Sequence, residues 1–206
     1  MTAKTMIYIV RHGETDWNVE EKMMGVTDVP LNKRGEKQAE NIASHLKNIH
    51  FDVIYSSPLS RTVKTALAIN TYHELPIIKN KALREREFGK FEGKHYTEIQ
   101  SIHAALMFSE TWNYPDYRPP NGESIHDVQK RVLTFITALL RKNTGKSVLL
   151  VSHGVTIRLL TALFLRTQPK YFNDIRFQNA SLTLIELSEK KNPTLHIANY
   201  VPKSSV

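Results

Sequence analysis

The chain of 206 residues contains no cysteine. That excludes a disulfide framework and any thiolate metal site, and it fits a reducing compartment. No apolar run approaches the roughly 20 residues of a membrane-spanning helix. The apolar stretch at residues 6–10 is halted by Arg11 and is too short for a secretory signal. A cytoplasmic location without a membrane partner is therefore expected. Internal repeats and low-complexity segments are also missing. So is any basic block of five residues, although the formal net charge is +8. The cations are scattered (Lys33, Arg34, Lys37; Lys79, Lys81; Arg84, Arg86; Lys190, Lys191), which argues against a nucleic-acid partner. The excess charge then reads as a solvated basic surface or as steering of anionic substrates.

Hydrophobic residues make up 41% and charged residues 23%, ordinary for a globular chain that buries a sizeable core. The length suits a single domain spanning 1–206 with a small inserted cap. Short apolar strands are expected at 6–10, 52–55, 77–78, 147–151, 181–187 and 195–198. Helices are expected at 35–48, 60–72, 97–108, 124–142 and 155–165. In the first of these, Ala39, Ile42, Ala43 and Leu46 share one face. In the fourth, Ser124 and Asp127 suit the first turn as caps. The stretch 91–122 is irregular and rich in Gly and Pro, and reads as the cap, with Trp112, Tyr114 and Tyr117 as candidates for a substrate mouth or a satellite cluster. Strands alternating with helices imply an α/β fold with a mostly parallel sheet.

In such sheets ligands bind beyond the carboxyl ends of strands. Three polar clusters stand there: Arg11-His12-Gly13-Glu14-Thr15 with Asn18, Ser56-Ser57-Pro58-Leu59-Ser60-Arg61, and Ser152-His153-Gly154. Gathered in one crevice, they supply two imidazoles and two guanidinium groups. Neutral imidazole is a competent nucleophile near pH 7. Guanidinium matches phosphate oxygens bidentately, and phosphoryl transfer needs mainly positioning and charge stabilisation. Gly13 would let backbone N–H groups approach a ligand closely, and Gly154 would open a helix whose amides attract an anion. Glu85 is the natural proton donor for the leaving oxygen, with Glu87 as a rival. Arg84, Arg86 and Lys90 hint at a substrate carrying a second negative group. A metal held by His12 and His153 is disfavoured, because no nearby Asp is clearly a ligand.

These residues resemble the histidine phosphatase superfamily, the phosphoglycerate mutase-like group. The resemblance runs through Arg11-His12-Gly13-Glu14-Thr15-Asp16-Trp17-Asn18, Gly25 with Asp28-Val29-Pro30-Leu31, Gly35, Gln38-Ala39 and Ser56-Ser57-Pro58-Leu59-Ser60-Arg61-Thr62. It continues through Leu83-Arg84-Glu85, Gly89, Glu92-Gly93, Gly122-Glu123-Ser124 and Val151-Ser152-His153-Gly154. It implies a three-layer α/β/α sandwich with an inserted cap. His12 would be the phosphorylated nucleophile. Arg11, Arg61 and His153, with Asn18 and Gly154, would hold the phosphate, and Glu85 would be the general acid. Phe91 stands where the mutases usually carry Trp.

The expected activity is hydrolysis of small phosphorylated metabolites through phosphohistidine, with no cofactor and no metal. The alternatives are mutase-type phosphoryl transfer and, from another class, a non-catalytic phospho-ligand-binding module. Mutases of the family are usually longer in the cap and C-terminal tail, which favours water as the acceptor here. Oligomeric state is not legible in the sequence.

Overall fold

The structure, a computed structural model, describes residues 4–102, 115–169 and 175–203, with backbone alone for 100–102. The elements run β1 (Lys4–Arg11), α1 (Asp16–Val19), α2 (Lys33–Leu46), β2 (Val53–Ser56), α3 (Ser60–Asn70), β3 (Ile77–Lys79), α4 (Tyr96–Ile102), α5 (Ile125–Asn143), β4 (Ser147–Ser152), α6 (Gly154–Phe164), β5 (Leu182–Ser188) and β6 (Thr194–Tyr200). Short 3-10 turns sit at Lys81–Leu83 and Gly89–Phe91. The six strands form one sheet in the order β3-β2-β4-β1-β5-β6. The first four are parallel, and β5 and β6 are antiparallel additions.

The sheet is covered on both faces, which explains why its strands read as continuous apolar runs. Ile7 and Ile9 of β1, with Val148 and Leu150 of β4, pack with α5 and α6. Their alternating neighbours Tyr8, Val10, Leu149 and Val151 pack on the other side with Ile42, Ala43 and Leu46 of α2 and Ala66 and Ile69 of α3. This is the expected α/β/α sandwich. The expected strand and helix positions hold to within a few residues. Ser124 and Asp127 form a reciprocal capping box at the start of α5. The four-residue α1 was not legible, being too short for any periodicity. The helix expected over 97–108 is present as Tyr96–Ile102, and its remainder lies outside the described residues, as do Trp112 and Tyr114. Tyr117 packs against the α5 and α6 core. No helix among the described residues is long and apolar enough to cross a membrane.

Two glycines join α2 to the loop after β1. A Cβ on Gly13 would lie 2.3 Å from the Gly35 carbonyl oxygen, and one on Gly35 would lie 2.0 Å from the Glu14 carbonyl oxygen. Both contacts are backbone on backbone, so no rotamer change relieves them. Asn32 completes the joint. Its Oδ1 accepts from Gly35 N at 2.8 Å and caps α2, while its own N donates to Glu14 O at 3.0 Å. Gln38 Oε1 accepts from Glu14 N at 2.8 Å. Gly13 is therefore a packing glycine: its N–H donates to Thr65 Oγ1 at 3.1 Å, so the expectation that it opens backbone amides to a ligand is corrected.

Gly35→Ala is expected to lower stability by about 2 kcal/mol or more through overpacking, seen as a reduced thermal unfolding midpoint. An unchanged midpoint would show that the joint relaxes.

Candidate active site

The sheet register brings the clusters together. Arg11 is paired with Ser152 and Ser56 with Val151, so β1, β4 and β2 end side by side. His12 N continues the ladder to Ser152 O at 3.1 Å, and Ser57 N to Val151 O at 3.0 Å. Beyond these ends lies a cavity of about 350 Å³. Arg11, His12, Asn18, Arg61, Glu85 and Gly154 all line it.

His12 is buried, and its Nδ1 lies 2.7 Å from the Gly13 carbonyl oxygen. A carbonyl only accepts, so the proton sits on Nδ1 and the lone pair on Nε2. Burial holds the His12 pKa well below the ordinary imidazole value, and Arg61 and Arg11 push the same way. The ring is thus a neutral base with its nucleophilic nitrogen defined. Its centroid lies 5.1 Å from that of His153.

His153 is fully buried and is not part of the cavity lining. Its Nδ1 accepts from Arg61 Nε at 3.3 Å. The proton is therefore on Nε2, which donates to Ser57 Oγ at 2.9 Å. Desolvation, followed by Arg61, pushes its pKa well down. Both ring nitrogens thus face protein groups, and the ring backs Arg61.

Arg61, also fully buried, donates Nη1 to Thr27 O at 2.8 Å and Nη2 to Gly25 O at 2.7 Å. Each terminal nitrogen keeps a second N–H. Desolvation pulls its pKa down to about 10, which leaves it charged at pH 7. The 25–28 loop is itself docked on Glu92, whose carboxylate accepts from Val26 N, Thr27 N and Phe88 N. Gly25 has φ +56, and a Cβ there would lie 2.0 Å from Glu92 Oε1. Asp28 Oδ1 in turn accepts from Ser60 N and Oγ, both at 2.8 Å, at the start of α3. The scattered motifs around Gly25, Asp28, Ser60 and Glu92 are one support for Arg61.

Arg11 donates Nη1 to Phe177 O. Its buried Nε has no partner among the described residues, which leaves a charged donor on the cavity wall. Asn18 Oδ1 accepts from Thr15 N at 3.1 Å, which orients its amide.

Glu85, unlike Glu87, lines the cavity. Its Oε2 accepts from Val155 N at 3.2 Å and its Oε1 from Thr156 N at 3.3 Å and Arg86 N at 3.0 Å. This carboxylate therefore takes the Val155 and Thr156 amides at the start of α6, while Gly154 itself lines the cavity. A Cβ on Gly154 would be 3.6 Å from Glu85 Oε2 and 3.9 Å from Arg11 Nε, so the acid and Arg11 flank the glycine. The Glu85 backbone is pinned as well. Arg131 of α5 donates to Ala82 O at 2.6 Å and Glu85 O at 3.0 Å while paired with Glu123 at 3.0 Å.

The extra cations lie elsewhere than expected. Arg84, Arg86 and Lys90 do not line the cavity. Arg86 is buried and holds Glu123 O and Tyr117 O at 2.7 and 2.9 Å. Arg34, Arg158 and Arg176 line it instead, with Tyr96 and Asn179. Arg158 could have been suspected from a charge inside the apolar run of α6. Arg176 and Asn179 carry no local signal. Among the described residues no three His, Asp or Glu side chains gather to hold a metal.

The two buried imidazoles have a measurable consequence. At pH 5.5 the ring ¹⁵N signals of His12 are expected to keep the neutral Nδ1–H pattern. The unfolded chain binds protons on these rings below about pH 6.5 and the folded chain does not. Their contribution to stability is thus complete above that pH and lost as pH falls toward the depressed folded values. A protonated His12 at pH 5.5 would contradict the assigned environment.

Known proteins place this geometry in context. The chain is 34% identical over 203 residues to a Bacillus subtilis (strain 168) protein called uncharacterized phosphatase PhoE, covering 96% of this chain and 99% of that one. It is 32% identical over 183 residues to a probable phosphoglycerate mutase, GpmB, of Cronobacter sakazakii, covering 89% and 85%. A mycobacterial glucosyl-3-phosphoglycerate phosphatase, solved as a complex with VO3, superposes with a TM-score of 0.84 at 27% identity, over 94% of this chain and 98% of that one. The family model for the histidine phosphatase superfamily (branch 1) matches residues 7–200, and the chain belongs to that superfamily.

Proposed function

We propose that the protein is a phosphatase that hydrolyses small phosphate esters through a phosphohistidine on His12. The observation that carries this reading is the tautomer: a buried neutral imidazole with its lone pair on Nε2, beside two guanidinium groups and one carboxyl group. Arg11 Nε, the remaining Arg61 N–H groups and the Asn18 amide grip the phosphoryl oxygens. His12 Nε2 attacks phosphorus in line with the ester oxygen, and the P–O bond breaks. Glu85, once it has taken a proton from solvent, gives that proton to the leaving oxygen. It then takes a proton from water, whose oxygen attacks the phosphohistidine and releases phosphate and free His12. Charge developing on the phosphoryl group is met by fixed guanidinium groups in a desolvated site, where such interactions are strongest. No metal is needed in this scheme.

Relatives called phosphatase and relatives called mutase both match this chain. The mutase-like GpmB is covered over 85% of its length, so chain length does not separate the two activities. What favours hydrolysis is the match to PhoE, nearly complete in both chains. Arg34, Arg158 and Arg176 in the cavity lining favour esters with a second anionic group over neutral sugars or alcohols. The segment 91–122 acts in this reading as a substrate-selecting cap on a single domain, in the cytoplasm.

His12→Ala is expected to lower kcat/KM on phosphate esters by several orders of magnitude, on the order of 10⁴-fold or more. Vanadate should inhibit at low concentration by mimicking trigonal-bipyramidal phosphorus, and EDTA should not inhibit. Loss of activity in EDTA that Mg²⁺ restores would reject the metal-free route. Rapid interconversion of 2- and 3-phosphoglycerate with little phosphate release would assign the mutase activity instead.

A further inference from the structure

One side chain joins three parts of the site without belonging to any strand-end cluster. Asn179 lies between the described segment that supplies Phe177 and the start of β5, and it lines the cavity. Its Nδ2 is 3.1 Å from His12 O, 3.3 Å from Gly13 O and 3.1 Å from Asn18 Oδ1. The two carbonyls only accept. Asn18 Oδ1 is an acceptor because Thr15 N also donates to it. All three partners are therefore acceptors, and the Asn179 amide has a single orientation that satisfies them. One N–H is shared between the consecutive carbonyls, and the other goes to Asn18.

We infer that Asn179 is the positioning residue of the phosphate site, acting on His12 through the Gly13 carbonyl and on the phosphate through Asn18. Both consequences follow from the partners. Gly13 O is the oxygen that holds the proton on His12 Nδ1 at 2.7 Å. An amide fixed against the same oxygen sets its direction, and so the direction in which Nε2 points. Ala180 N adds a bond to His12 O at 3.1 Å, so residues 179 and 180 together strap the nucleophile's loop from the far side. At Asn18, three donors on Oδ1, Thr15 N, Thr15 Oγ1 and Asn179 Nδ2, fix which end of the amide is the oxygen. Its Nδ2, which has no partner among the described residues, is then left to face a phosphoryl oxygen. Without Asn179, Asn18 Oδ1 keeps only its bonds from Thr15, all on one side, and the amide is held less tightly toward the phosphate. Asn18 and Asn179 are thus one device on two distant stretches of chain.

This inference rests on the phosphatase reading, and the test separates the two. kcat and KM on a phosphate monoester are measured for wild type, Asn18→Ala, Asn179→Ala, Asn179→Asp and the Asn18→Ala/Asn179→Ala double variant. Asn179→Asp keeps shape while replacing the donor by an oxygen facing three acceptors, and it stands in if Asn179→Ala fails to fold. Asn179→Ala is expected to lower kcat/KM about tenfold, with kcat falling, and Asn179→Asp by about a hundredfold, at a thermal midpoint close to wild type. Since one residue acts partly through the other, Asn179→Ala should cost clearly less on the Asn18→Ala background than alone. Equal costs on both backgrounds, or kcat within twofold of wild type for both Asn179 variants, would overturn the inference and leave the activity standing. If wild type turns over no ester, the functional reading falls instead. Vanadate affinity, read by thermal shift on the same proteins, then tests the coupling. Non-additive losses uphold it and additive ones overturn it.

Discussion

The position of β4 between β1 and β2 is the constraint on which the rest of the site depends. Parallel pairing fixes Arg11 opposite Ser152 and Ser56 opposite Val151. A slip of one residue would turn Ile7, Ile9, Val148 and Leu150 away from α5 and α6 and toward α2 and α3. Because both faces carry tightly filled cores, that slip is forbidden. The chemistry thus inherits its precision from apolar packing below it: the same register that fills two cores places His12, Ser57 and His153 side by side at the carboxyl edge.

On that floor the electrostatic balance is made by burial. Arg61 and the two imidazoles are almost wholly removed from water. Two neutral rings beside charged guanidinium groups cost less than two charged ones, which is why desolvation and the arginines lower both histidine pKa values together. Carbonyl oxygens from Gly25, Thr27 and Phe177 take part of the N–H set of the two guanidinium groups. Those carbonyls come from loops held by Glu92, Asp28 and the chain around Asn179, so surface-looking motif residues are supports for buried charge. Glu85 is likewise seated on the amides at the start of α6 and held from behind by Arg131.

Much of this was legible along the chain. Strand-end placement of Arg11, His12, Arg61 and His153 followed from apolar runs ending in polar residues, and Glu85 from its place in a motif. The errors share a physical cause. Gly13 reads along the chain as an opening for a ligand, whereas it makes room for Gly35 and its N–H goes to Thr65. The cations at Arg84, Arg86 and Lys90 are near Glu85 in sequence but not on the cavity wall: Arg86 turns inward to the Glu123 and Tyr117 carbonyls, and Lys90 sits in the 3-10 turn at Gly89–Phe91. Arg158 and Arg176 take that wall from other elements.

By itself the sequence determined which residue types meet: hydrophobic period decides strand from helix, and the ends of apolar strands decide where a parallel sheet gathers its polar groups. Only the tertiary structure decided what each polar atom faces. The proton on His12 Nδ1, the engagement of both His153 nitrogens and the three acceptors around Asn179 depend on partners up to 167 residues away. A hydrogen bond has direction and a reach of about 3 Å, and neither is encoded in local pattern until packing has brought the partners together.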